Sequence, residues 1–94
     1  MIIVAGTITL HPGRCAAFLE ASTESIREAR RAPGCQAFVV AADPIEPDVA
    51  NVYEVWDSEA ALLSFRGEGP GTDMRDMIAG ANVLRYYVSH SDRA

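Results

Sequence analysis

NVYEVWDSEAALL, residues 51–63, reads as an alternating strand that turns into a helix, and the rest of the chain organises around it. Successive side chains of a strand point to opposite faces, so Val52, Glu54 and Trp56 share one face and Tyr53 and Val55 the other. Asp57 or Ser58 offers the side-chain oxygen that starts a helix, and Ala61, Leu62 and Phe65 give that helix its apolar side. The helix is expected to cover the face that holds Glu54 and the only tryptophan. A carboxylate beside an indole under a helix suits two roles. It is a pocket wall, or a core anchor with one acid reaching out to water.

Upstream, Ile2–Leu10 reads as a strand with two largely apolar faces, ended by His11-Pro12-Gly13. A helix from about Gly13 to Arg31 follows. Cys15, Phe18, Leu19, Ser22, Ile26 and Ala29 fall on one narrow stripe at i, i+3, i+4, i+7 spacing. The acids and arginines of that helix are explained by a solvated face, with the arginines gathered where the helix dipole favours cations. Pro33-Gly34 stops the helix. Cys35–Ala42 is a second strand, and the acidic, proline-containing turn 43–48 joins it to residues 51–56 as a hairpin.

Downstream, Arg66-Gly67-Glu68-Gly69-Pro70-Gly71 is rich in glycine. It lacks the Lys and Ser/Thr of a phosphate-binding loop, and Glu68 would repel phosphate, so it reads as a connecting loop. Whether the stretch from Gly67 to Gly71 acts as a lid stays open. Thr72 is expected to cap a short helix with Met74, Met77, Ile78 and Ala81 facing inward and Gly80 closing it. Methionines at this spacing serve as core filler or as adaptable pocket lining. Residues 83–89 form the last strand, and 90–94 a polar tail.

Ninety-four residues make a single domain, 1–94, and 49% hydrophobic content exceeds what so small a core needs, which points to a partner subunit. A net charge of −5, with no basic cluster beyond residues 27–31, argues against nucleic acid and anionic membranes as partners. No apolar run approaches the roughly 20 residues of a membrane span, and MIIVAGTITL lacks the parts of a signal peptide. A cytoplasmic location is the expectation. Cys15 and Cys35, held roughly 25–30 Å apart by the intervening helix, make neither a disulfide nor a metal site.

The order β-α-β-β-α-(α)-β predicts an α+β, ferredoxin-like fold with a four-stranded antiparallel sheet and helices on one side. Both faces of that sheet are apolar enough to need cover. Two sheets packed face to face across a two-fold axis would supply it, giving a homodimer.

VAGTITLHPG, the long helix ending in Pro33-Gly34-Cys35, and Glu54-x-Trp56-x-Ser58-x-x-Ala61-Leu62 together resemble the antibiotic biosynthesis monooxygenase (ABM) family over nearly the whole chain. The resemblance implies a dimeric α+β barrel with a pocket in each subunit between sheet and helices. It also implies oxygenation of aromatic, quinol-like or polyketide-like compounds with no cofactor: no metal, flavin or haem. Departures are specific. Phe65 stands where many relatives carry His. Val52 and Leu62 stand where anthrone-oxygenating members have Asn and Tyr. The first strand lacks the Asn of the haem-degrading branch.

Cofactor-free oxygenation needs a dry pocket, a proton acceptor and a partner for the substrate anion. Phe38, Leu62, Phe65, Met74, Met77 and Tyr86 are the candidate substrate-binding residues. Trp56 is the candidate to stack on or shape an aromatic substrate, Glu54 the candidate base, and Arg66 or Arg75 the candidate anion partner. Glu54 equally suits a salt bridge, for which Arg85 on the last strand is the expected partner. A ligand-binding dimer without catalysis, or an isomerase or cyclase on the same scaffold, are the competing readings.

Overall fold

The computed structural model describes residues 1–67 and 72–94. The chain runs β1 (Ile2–Leu10), α1 (Cys15–Arg31), β2 (Cys35–Ala42), β3 (Val49–Trp56), α2 (Glu59–Arg66), α3 (Thr72–Met77) and β4 (Ile78–Tyr87). The strands form one antiparallel sheet in the order β2-β3-β1-β4. This is the ferredoxin-like α+β architecture expected from the alternation of patterns along the chain.

Register explains how the sheet builds its two faces. On the helix side, Phe38, Glu54, Val4 and Arg85 lie in one cross-strand row, and Val40, Val52, Gly6 and Val83 in the next. Ile2, Val4, Trp56 and Leu62 form one buried cluster, and Leu10, Cys15, Phe18 and Ala50 another. The α1 stripe reads as anticipated: Cys15, Phe18, Ser22 and Ala29 are buried. On the far side, Val39, Tyr53, Ala5 and Leu84 form a row, with Ala37, Val55, Ile3 and Tyr86 beside it. Val39, Tyr53, Leu84 and Tyr86 are 39–53% exposed there, a large apolar area that the helices do not reach.

Two glycines permit close approaches. Gly34, at φ +86°, lies in the turn after α1, and a Cβ there would come within 2.6 Å of the Ala61 Cβ on α2. Its carbonyl accepts from the Asp57 N–H at 2.8 Å, which ties this turn to the start of α2. Ser58 then caps α2, its Oγ accepting from the Ala61 N–H at 3.2 Å. Gly6, at φ +153°, leaves no room for a Cβ, which would meet the Asn82 carbonyl on β4.

Several bounds need correction, and β3 begins at Val49 rather than at 51. α1 begins at Cys15 rather than at Gly13. The last strand begins at Ile78 rather than at 83 and ends at Tyr87 rather than at 89. Ile78, Gly80 and Ala81 therefore belong to β4, pairing with Leu10, Thr9 and Ile8, and Ala81 is exposed rather than turned inward. Local helical spacing lost here to cross-strand pairing, which continues β4 along the full length of β1 and absorbs the mismatch in a register shift at Thr9/Leu10. The glycine-rich stretch 68–71 lies outside what is described, as does the Thr72 side chain expected to cap α3. No helix among the described residues is long and apolar enough to cross a membrane.

Candidate functional site

The two core clusters on the helix side do not merge, and the gap between them is a cavity of about 450 Å³. The sequence accounts for the gap. The sheet row between the clusters is Val40, Val52, Gly6 and Val83, which rises only as high as valine, and α1 contributes Ser22 to the wall there. The Ser22 hydroxyl donates back to the Phe18 carbonyl at 2.8 Å, so it is satisfied without reaching into the space.

Glu54 is the buried acid of this cavity, 5% exposed. A buried carboxylate requires partners, and it has two. The Trp56 Nε1–H donates to Oε1 at 2.9 Å, and an Arg66 guanidinium nitrogen lies 3.6 Å from Oε2. Period-two geometry makes the first contact local: Glu54 and Trp56 are neighbours on one face of β3. The second is long-range, brought by the last turn of α2. The ion pair thus forms with Arg66, not with Arg85, which instead lies 3.9 Å from Glu59 at the other end of α2. The Tyr87 hydroxyl also donates to Glu59, at 2.7 Å, so Arg85 and Tyr87 fasten β4 to α2 away from the cavity.

The aromatic wall has layers. Trp56 is fully buried and stacks on Phe65, with centroids 5.4 Å apart at 29°. Phe38 packs edge-on against both rings, at 5.8 Å from Phe65 and 6.4 Å from Trp56. Phe38 and Phe65 border the cavity, and Trp56 stands behind them. The Arg30 Nε–H donates to the Phe38 carbonyl at 2.9 Å, steadying this part of edge strand β2. Nearby, burial pushes the Cys35 thiol pKa up, with the Glu54 charge adding to the shift.

Of the candidates read from sequence, Glu54, Arg66, Phe38, Phe65 and Met74 come together around the cavity. Leu62 and Trp56 are fully buried behind it. Met77 packs against the second core cluster, and Arg75 lies exposed on α3, both outside the lining. Tyr86 is on the opposite face of the sheet, beside Ile3, and half exposed. The sequence reading missed Ser22, Ser25, Ile26 and Glu28, which form the α1 wall. The visible signal was Ser22, a hydroxyl inside an otherwise apolar stripe. Among the described residues, no three His, Cys, Asp or Glu side chains gather as metal ligands would.

An antiparallel β-α-β-β-α-β sheet with a helix-covered, acid-bearing cavity defines a ferredoxin-like α+β protein. Residues 1–77 match the sequence profile of antibiotic biosynthesis monooxygenases, and the chain belongs to that family. Solved structures agree on the fold. A candidate antibiotic biosynthesis monooxygenase from Deinococcus radiodurans is 20% identical, with a TM-score of 0.83 over 100% of this chain and 98% of that one. One from Nitrosomonas europaea is 17% identical, with a TM-score of 0.81 over 96% and 100% of the two chains. One from Chloroflexus aurantiacus reaches 26% identity, with a TM-score of 0.76 over 98% and 96%. A comparison with curated proteins found no match.

Proposed function

We propose that this protein is a cofactor-independent monooxygenase for a small aromatic or polyketide-like substrate, working as a homodimer with one cavity per subunit. The observation that carries the reading is the buried Glu54 carboxylate, set in the floor of an aromatic-walled cavity and oriented by the Trp56 N–H. One donor fixes Oε1. Oε2 faces Arg66 at 3.6 Å, longer than a hydrogen bond, and keeps lone pairs for a substrate proton.

The chemistry closes without an outside reductant. Glu54 takes a proton from an activated methylene flanked by aryl and carbonyl groups, leaving a delocalised carbanion. The carbanion passes one electron to dioxygen, and the resulting radical and superoxide combine into a carbon–oxygen bond. The peroxide takes up a proton and loses water as the second C–H proton leaves, forming the carbonyl. Methylene plus dioxygen gives carbonyl plus water, one oxygen atom in each. Arg66 sits where it offsets the substrate anion's charge, and Phe38 and Phe65 flank the ring.

The open sheet face supports the dimer reading. Val39, Tyr53, Leu84 and Tyr86 expose apolar surface in adjacent rows, and a second copy of the same face would cover it. The test of function is oxygen consumption with a panel of anthrones and reduced quinones. Uptake well above the no-protein autoxidation rate, lost in Glu54→Gln, is the expected result. Ligand binding with no uptake across the panel would move the protein to the ligand-binding or isomerase class.

A further inference from the structure

We infer that Glu59 is a positioning residue for the Glu54 site: held by Tyr87 and Arg85 of β4, it sets the roll of α2 and so the place of Arg66 against the Glu54 carboxylate. The inference rests on the reading of Glu54 as the working acid, and it concerns what keeps that acid's surroundings in order. Helix geometry links the two residues. Glu59 and Arg66 are the first and last residues of α2, nearly two full turns apart at about 3.6 residues per turn, so they lie on one side of it. Ala61 and Phe65 lie on another side, where they meet the Gly34 turn and the Phe38 ring. Leu62, between the two sides, enters the buried cluster with Ile2 and Val4.

The sheet supplies matching anchors. Val4 pairs with Glu54 on β3 and with Arg85 on β4, and Ile2 pairs with Trp56 and with Tyr87. The acid is on β3 and the cation on β4. α2 answers with Arg66 at its C-terminal end and Glu59 at its N-terminal end, each where the helix dipole favours it. An exposed ion pair at 3.9 Å holds little by itself. The Tyr87 hydroxyl, donating to the Glu59 carboxylate at 2.7 Å, makes a charge-assisted bond and is the stronger tie. Small rolls matter at the other end of the helix. A side-chain tip some 5–6 Å from a helix axis travels about 1 Å in a roll of roughly 10°. The Arg66 nitrogen stands 3.6 Å from Glu54 Oε2. That step inward would make a hydrogen bond that occupies the acid, and the same step outward would take its cation away.

The indole N–H of Trp56 reports on this directly, because it belongs to the only tryptophan and donates to the same carboxylate. Its single resonance can be followed in the whole, isotope-labelled protein by proton–nitrogen correlation NMR. Glu59→Ala is expected to shift it, and the shift should largely vanish when Arg66 is already alanine, since the effect travels through that side chain. Tyr87→Phe, which removes only the hydroxyl, should shift it in the same direction and decides the matter if the alanine variant does not fold. A helix merely loosened by the loss of Glu59 would shift the resonance equally in both backgrounds, through the Phe65 stack. An unmoved resonance, or equal shifts with and without Arg66, overturns the inference. An equal shift from Arg27→Ala, which breaks an exposed ion pair on α1, does so too. Failure here is separable from failure of the oxygenase reading. A moved resonance without oxygen uptake removes only the oxygenase, and uptake with an unmoved resonance removes only the positioning role.

Discussion

The two faces of the sheet are both apolar, yet they solve different problems. On the helix-covered face, Trp56 and Leu62 are fully buried and the acid Glu54 is tied down by two partners beside a cavity. On the open face, Tyr53, Leu84 and Tyr86 lie about half exposed, in continuous rows that contain no acid or base. Apolar surface alone therefore does not mark the site. What sets the proposed site apart is a buried charge next to space that the core leaves unfilled. Burying a carboxylate is costly unless it is paired, and a surface acid would have served stability better.

Breaking each face should give a different phenotype. The largest effect is expected at Trp56, where Trp56→Ala removes a fully buried ring and the donor to Glu54. A loss of about 3–5 kcal/mol in a urea unfolding titration is expected, enough to unfold a marginal domain. Trp56→Phe keeps most of the volume and deletes the N–H, so it should cost about 1–3 kcal/mol. Glu54→Gln should retain the fold by circular dichroism and lower turnover by about a hundredfold or more. On the open face, Tyr53→Glu with Leu84→Glu should convert dimer to monomer by sedimentation, because like charges would meet across the two-fold axis. A monomer in the wild type would remove the proposed dimer.

Between the faces, Gly34→Ala forces a Cβ onto Ala61 at a positive φ and should cost about 1–3 kcal/mol. The smallest effect lies at Asp43, outside both faces. Its carboxyl is held below the ordinary value of 3.8 by the Glu46 N–H first, then the Asn51 amide and the Ile45 N–H. A depressed folded-state pKa contributes stability above the ordinary value, lost as the pH falls through the lower folded one. The stability gap between wild type and Asp43→Asn should therefore be level at neutral pH and narrow below 3.8.

The same contrast shows what was legible in the residues. Period-two alternation at Val52, Glu54 and Trp56 put the acid beside the indole and under a helix, because that relation is local. The order of elements, the α1 stripe and the Ser58 cap were equally local. What escaped depended on distant chain. Met74, Met77, Ile78 and Ala81 have helical spacing, but β1 recruits Ile78 and Ala81 into β4, and no local pattern reports a partner strand. Arg85 is the partner the sequence suggests for Glu54, and only the path of α2 brings Arg66 to it instead. Tyr86 and Tyr87 sit on opposite faces, and neighbours such as Arg85 and Leu84 carry no alternation clear enough to show that Tyr86 takes the open one. The α1 wall was missed because Ser22 looked like an ordinary member of a core stripe.

In the proposed reaction, Glu54 starts a sequence that splits dioxygen between product and water. Turnover under isotopically labelled dioxygen, with the product analysed by mass spectrometry for wild type and Glu54→Gln, tests it most directly. One labelled atom is expected in the product and the other in water, with product from the variant forming no faster than autoxidation. Product label from solvent water, or full activity in Glu54→Gln, would contradict it.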